Sequence, residues 1–120
     1  MMKRSKIGPK RQQYFQDLLQ KKKEELLTRV KEHELELDEL QAEMPSDDKD
    51  AAPWRNRQAE LRGRIEEERA ELESVAEAFE LLKQGLYGLC VHCNEEIPVA
   101  RLEILPFTPY CIRCQGMMEG

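Results

Sequence analysis

The chain has 120 residues, of which 36% are charged and 6% aromatic. Such a composition excludes a large globular core and suits a long solvated helical element beside a small domain that needs a metal staple. The formal charge is −5, and five positive charges (Lys3, Arg4, Lys6, Lys10, Arg11) fall in the first thirteen residues, which leaves the rest near −10. A body that acidic is a poor tracker of phosphates. No run approaches the roughly 18 apolar residues of a membrane span, so no membrane partner is expected. Charged and amide residues follow the basic N-terminus directly, without the apolar stretch and cleavage site of a signal peptide. A cytoplasmic location is expected. In that reducing compartment four cysteines read as thiolates for a metal, not as two disulfides.

Residues 1–11 read as a basic N-terminal segment, expected to be disordered. From about Gln12 to Met44, apolar residues recur at alternating spacings of three and four. Leu19, Leu26, His33 and Leu40 make one heptad column, and Lys23, Val30, Leu37 and Met44 the other, with Lys, Glu and Gln between them. A second run begins near Trp54 and uses Leu61, Ile65, Leu72, Val75, Phe79, Leu82 and Leu86, interrupted by Gln58 and Glu68. Two such helices predict an antiparallel coiled-coil hairpin over 12–86. Pairing Leu40 with Leu61 aligns Leu37 with Ile65, Val30 with Leu72, Leu26 with Val75 and Leu19 with Leu82. That register sets His33 opposite Glu68, a polar pair expected to pin the alignment. Each helix of about 30 residues would run roughly 45 Å at 1.5 Å per residue. Gly63, inside the second helix, should cost about 1 kcal/mol relative to Ala.

The expected tip loop is 45–53, Pro45-Ser46-Asp47-Asp48-Lys49-Asp50-Ala51-Ala52-Pro53, with a proline closing one helix and another opening the next. Asp47 and Asp48 are candidate helix caps. Gly85 and Gly88 favour a C-cap at the end of the second helix. The cysteines follow at once, which puts a module over 87–120 at the end of the hairpin opposite the acidic turn.

Cys90-x2-Cys93, seventeen intervening residues and Cys111-x2-Cys114 make a four-cysteine zinc pattern. Two such knuckles complete a tetrahedron with no open position, so one zinc ion there would be structural and not catalytic. His92 lies inside the first knuckle, but the ligand set is complete without it, and it is expected to be exposed. The segment between the knuckles is too short for its own core, so the ion must organise it. Tyr87, Ile97, Leu102, Phe107 and Tyr110 read as packing around the metal. The fold class is therefore mainly α: a long antiparallel coiled-coil hairpin with a small C-terminal four-cysteine zinc-finger module. No nucleophile–base pair, phosphate-cradling glycine loop or open metal site marks an enzyme.

Tyr87-Gly88-x-Cys90-x2-Cys93, Ile97-x3-Arg101-Leu102-Glu103-x2-Pro106 and Cys111-Ile112-x-Cys114 resemble the DksA/TraR family of C4-type zinc-finger, RNA polymerase-binding transcription factors. The specific part of the resemblance covers 85–114, and the hairpin extends it to most of the chain. The family's tip signature, Asp-x-x-Asp-x-Ala, is supplied by Asp47, Asp50 and Ala52. The resemblance implies a regulator of transcription initiation whose hairpin enters the secondary channel of bacterial RNA polymerase, with its tip near the catalytic centre and no sequence-specific DNA contact. Family members that respond to guanosine tetraphosphate in the stringent response use basic residues around the module. The matching positions here are Ser74, Leu105 and Gln115, so alarmone binding at that site is not expected. A Gre-like transcript-cleavage factor is an alternative, though Gre-type factors end in a metal-free domain. The other is a zinc ribbon binding nucleic acid, which the acidic body opposes. The short turn and the matched polar pair favour a monomer.

Overall fold

The computed structural model describes residues 7–119, so Lys3, Arg4 and Lys6 of the basic segment lie outside the described residues. Two long helices dominate: α1, Pro9–Ala42, and α2, Asp48–Gln84. They pack against each other as a helical hairpin. Two short helices follow, α3 at Val99–Ile104 and α4 at Ile112–Glu119. Among the described residues the only β-type pairing is an isolated antiparallel bridge between Leu89 and Glu96. No described helix is long and apolar enough to cross a membrane. Helix α1 opens on Pro9, where a missing N–H is one of the orphan donors of a helix start in any case.

Residues 24–72 form one compact unit, and the described residues on either side of that stretch form a second. In the first unit Leu26, Val30, Leu61 and Ile65 are buried along the seam. Full burial of a leucine stabilises by about 1.5–3 kcal/mol, and Leu26 and Leu61 are both at 0% exposure. His33 Nδ1 lies 2.8 Å from Glu68 Oε1 in the middle of this seam. The adjacent pair, Glu34 with Arg69, crosses between the helices in the same alignment.

The seam stops sooner than its heptads do. Met44 belongs to an apolar column in the sequence but is 75% exposed. Helix α1 ends at Ala42, and the Glu43 amide bonds back to the Leu40 carbonyl at 3.1 Å, turning the chain away before Met44 can face α2. The Leu40 carbonyl also accepts the indole N–H of Trp54 at 2.7 Å. One orphan acceptor of the helix end is thereby satisfied from the opposite helix.

The connection is also shorter than the two prolines suggest, because α2 begins at Asp48 and carries Pro53 inside it. Asp47 caps this start: its carboxylate accepts the Lys49 amide at 3.0 Å, and its carbonyl accepts the Asp50 amide at 3.1 Å. A proline inside a helix leaves the carbonyl four residues earlier, here that of Lys49, without its N–H partner. Lys49 and Pro53 are both exposed, so water can take that role.

In the second unit the expected seam is kept in part. Lys23, in an expected seam column, is exposed. Leu19 and Val75 are buried as expected, and Phe15 and Ala78, outside the expected columns, are buried with them. The Phe15 ring lies 5.4 Å from that of Tyr87, and Tyr14 meets Phe15 edge-on at 5.1 Å. Helix α2 closes on a Schellman motif: Gly85 has φ +73°, the Leu86 amide reaches the Leu81 carbonyl at 2.9 Å and the Gly85 amide reaches Leu82 at 3.2 Å.

Candidate metal centre

Two knuckles carry the cysteines, and local backbone chemistry shapes each. In the first, the Asn94 amide bonds to the Cys90 carbonyl and the Cys90 amide to the Glu95 carbonyl, both at 2.8 Å. Asn94 sits at φ 62°, the left-handed region that asparagine tolerates better than most side chains. The second knuckle is the start of α4. Cys111 precedes the helix, its carbonyl accepts the Gln115 amide at 2.9 Å, and its sulfur faces the Cys114 amide at 3.5 Å. One backbone bond, from the Val91 amide to the Pro109 carbonyl at 2.9 Å, joins the two.

The four sulfurs, of Cys90, Cys93, Cys111 and Cys114, all lie within 4.8 Å of one another. Cys93 Sγ and Cys111 Sγ are 3.8 Å apart. A tetrahedron with zinc–sulfur bonds of about 2.3 Å has sulfur–sulfur edges of about 3.8 Å, so the quartet fits a single zinc ion. Four thiolates leave no position for water or substrate, and the chemistry such an ion supplies is cross-linking. Backbone N–H groups already favour thiolates here. Burial opposes ionisation of Cys90, but the amides of Cys93, Cys111 and His92 outweigh it and bring that thiol down to about 6. The Cys114 amide likewise lowers Cys111. At Cys114 burial prevails, reinforced by the neighbouring sulfurs, and the thiol rises to about 12. A bound cation reverses that order, because coordination deprotonates a thiol outright.

Around the sulfurs, Leu102, Ile97 and Tyr87 are buried at 0%, 4% and 3% exposure. Phe107 and Tyr110, grouped with them in the sequence reading, are only half-buried. The Tyr87 hydroxyl donates to the Pro106 carbonyl at 2.8 Å. Arg101, a motif residue with no role assigned from sequence, ties the segment before the second knuckle. Its Nε donates to the Tyr110 carbonyl at 3.2 Å, and Nη2 reaches the Thr108 hydroxyl at 3.5 Å. Sequence alone left Phe15 and His92 without a part in this module. Phe15 could have been found from its spacing of four to Leu19 and seven more to Leu26. His92 is exposed, as expected, yet its Nδ1 lies 3.4 Å from Cys114 Sγ, a contact between knuckles that no local pattern announces.

The tip signature residues belong to the unit of 24–72. Asp47, Asp50 and Ala52 are all exposed, Asp47 as the cap of α2 and Asp50 in its first turn. Acidic groups there are stabilised by the helix dipole. Ser74 and Gln115 are half-buried and Leu105 is exposed, with the Gln115 amide nitrogen bonded to Glu119.

Residues 85–119 match the family described as the prokaryotic dksA/traR C4-type zinc finger. An uncharacterized protein of Aquifex aeolicus (strain VF5) is 33% identical over 112 residues, covering 86% of this chain and 77% of that protein. General stress protein 16O of Bacillus subtilis (strain 168) is 38% identical over 48 residues, 40% of this chain and 29% of that protein. Among solved structures, transcription factor DksA2 from Pseudomonas aeruginosa superposes with a TM-score of 0.78 at 32% identity, over 95% of this chain and 87% of that one.

Proposed function

The chain belongs to the DksA/TraR family of C4-type zinc-finger proteins, and from that premise we propose that it is a transcription factor that acts on RNA polymerase through the tip of its hairpin. The hairpin enters the secondary channel, and the zinc ion, held by Cys90, Cys93, Cys111 and Cys114, has a structural part only. The observation that carries this reading is the tip itself. Asp47, Asp48 and Asp50 stand exposed at the capped N-terminus of α2, the turn preceding it is only a few residues long, and Ala52 adds no bulk beside them. A short, acidic, backbone-anchored tip can place carboxylates close to a metal-dependent catalytic centre, where charge acts at short range. Asp47 and Asp50 perturb that centre or its mobile elements, and Ala52 permits close approach.

Capping complicates the obvious mutation. Replacing Asp47 by Ala removes both a charge and a helix cap worth about 1 kcal/mol. Asp47→Asn keeps an oxygen acceptor for the Lys49 amide, and Asp50→Asn keeps the size of an exposed side chain in the first turn of α2. In an initiation assay with core polymerase and its σ factor, both asparagine variants should bind polymerase like the parent and lose its effect on open-complex lifetime. Full retention of effect by Asp50→Asn, with binding intact, would sink the tip assignment. Because Ser74, Leu105 and Gln115 supply no positive charge, adding guanosine tetraphosphate should leave the parent's effect unchanged at that site.

A further inference from the structure

Charge is divided unevenly along this chain. Residues 1–23 hold eight of its 19 basic side chains and only one of its 24 acidic ones, Asp17. The unit of 24–72 holds eight basic and sixteen acidic side chains. The acidity of the protein therefore belongs to that unit. The other, with eleven basic and eight acidic side chains, has a net charge of +3.

Helix stability does not account for these cations. Lys10 and Arg11 stand in the first turn of α1, which has no acidic residue. The helix dipole disfavours positive charge there, and α2 obeys that preference with Asp48 and Asp50. Nor are the cations neutralised in place. In the unit of 24–72, Arg57, Arg64 and Arg69 pair with Glu36, Glu60 and Glu34. Among the described residues, Lys10, Arg11, Lys21 and Lys23 form no ion pair, and all four are exposed. Lys22 differs, with its ammonium 6.0 Å from the centre of the Phe107 ring. Asp17, the one acid among them, accepts a bond from Gln13 at 2.9 Å.

Such a face takes its counter-charge from a partner, and its composition says which. From Pro9 to Lys23 the one exposed large apolar side chain is Tyr14, at 50%. Stable contacts between proteins have an apolar core, whereas protein–DNA interfaces are positively charged, polar and wet. Lysine, arginine, glutamine and tyrosine are all donors that hold phosphate oxygens, and Gln16 is exposed beside the cations. A single strand calls for several aromatic side chains on which bases stack, and this face has one. Its cations stand in two groups on one continuous helix, Lys10 with Arg11 and Lys21 with Lys23, about 16 Å apart. That rigid spacing suits a duplex, whose phosphates are held in rows. We propose that the exposed face of α1 between Lys10 and Lys23 is a sequence-independent contact for the phosphate backbone of duplex DNA. The contact is separate from the action of the tip and does not depend on it.

The test uses zinc-loaded full-length protein without polymerase, and fluorescence anisotropy to follow binding to a duplex of arbitrary sequence as salt rises from about 50 to 200 mM. Four phosphate contacts give a slope of log K against log[salt] of about −3.6 or steeper, a loss of roughly a hundredfold over that range. Replacing Lys10, Arg11, Lys21 and Lys23 together by Gln should flatten the slope by about 3.6, and Lys21→Gln with Lys23→Gln alone by about 1.8. The double variant serves should the quadruple one fail to fold, which far-UV circular dichroism reads. Arg29→Gln, Lys31→Gln, Lys49→Gln and Arg55→Gln together remove the same charge from exposed positions of the unit of 24–72, and should leave the slope unchanged. Single-stranded DNA and polyglutamate, each of the same total charge as the duplex, should bind more weakly than it does. Equal or tighter binding of either would assign the face to another polyanion and overturn the proposal. No duplex binding at the lowest salt, an unchanged slope in the folded variants of α1, or equal flattening by the control set would overturn it too.

Discussion

Gly63 and Gly85 carry opposite consequences for the same substitution. An added Cβ at Gly63 meets nothing within 4 Å, and the residue lies in the interior of α2. Gly63→Ala should therefore stabilise the protein by up to about 1 kcal/mol, the helix-propensity difference. Gly85 is equally open but sits at φ +73° in the turn that ends α2, where any side chain strains the backbone. Gly85→Ala should destabilise by about 1 kcal/mol. Chemical denaturation of the two variants reads both signs. Tyr87 offers a test in pH. Burial pushes its phenol well above the ordinary value near 10. The folded state thus favours the protonated form, while the unfolded chain gives up that proton near pH 10. The sign follows: this contribution is present in full below about pH 10 and declines as pH rises further. Denaturation midpoints between pH 9 and 11 should fall for the parent and fall less for Tyr87→Phe, which itself loses about 1 kcal/mol with its bond to Pro106.

At the scale of elements, we propose that a polar contact within the apolar seam fixes the alignment of α1 on α2. His33 and Glu68 face each other at 2.8 Å, with Glu34 and Arg69 beside them. A neighbouring register would separate His33 from Glu68 and leave a half-buried imidazole and a buried carboxylate without a partner, which is how a buried polar pair selects one alignment among several. A double-mutant cycle with His33→Leu and Glu68→Leu should give a coupling of at least about 0.5 kcal/mol. Strict additivity of the two single changes would remove the pair from any part in the register. Leucines at both positions can fill the seam, so stability alone is not the measure; the coupling is. The ends of the same helices depend on other interactions. Heptads carry α1 on to Met44, but the Glu43 turn and the Trp54 indole bond at Leu40 end it sooner. Likewise Asp47 starts α2 ahead of Pro53, because a cap with a side-chain acceptor competes successfully with a proline whose partner carbonyl is exposed.

At the scale of the molecule, the metal serves only part of the chain. The segment from Tyr87 onward has short helices and an isolated bridge, too little regular structure to stand without a cross-link. The seam of 24–72 has its own buried leucines and ion pairs. Zinc removal at neutral pH should therefore abolish amide-exchange protection over 87–119 and preserve most of it over 24–72. Uniform loss of protection along the chain would show that the unit of 24–72 depends on the ion.

The cysteine quartet, the hairpin and the pairing of His33 with Glu68 were legible in the residues alone, for one reason. Zinc-ligand spacing and heptad periodicity are local, repeating signals whose geometry follows from tetrahedral coordination and helical pitch. Met44, Lys23 and Phe15 were misjudged or passed over because periodicity says which residues share a face, not where a helix stops or what else packs on it. Only the tertiary structure added the Phe15–Tyr87 contact in the second unit, chose Asp47 over Asp48 as the cap of α2 and turned Arg101 toward Tyr110. It alone brought His92 to Cys114, since a contact between two knuckles seventeen residues apart depends on the path of the chain between them.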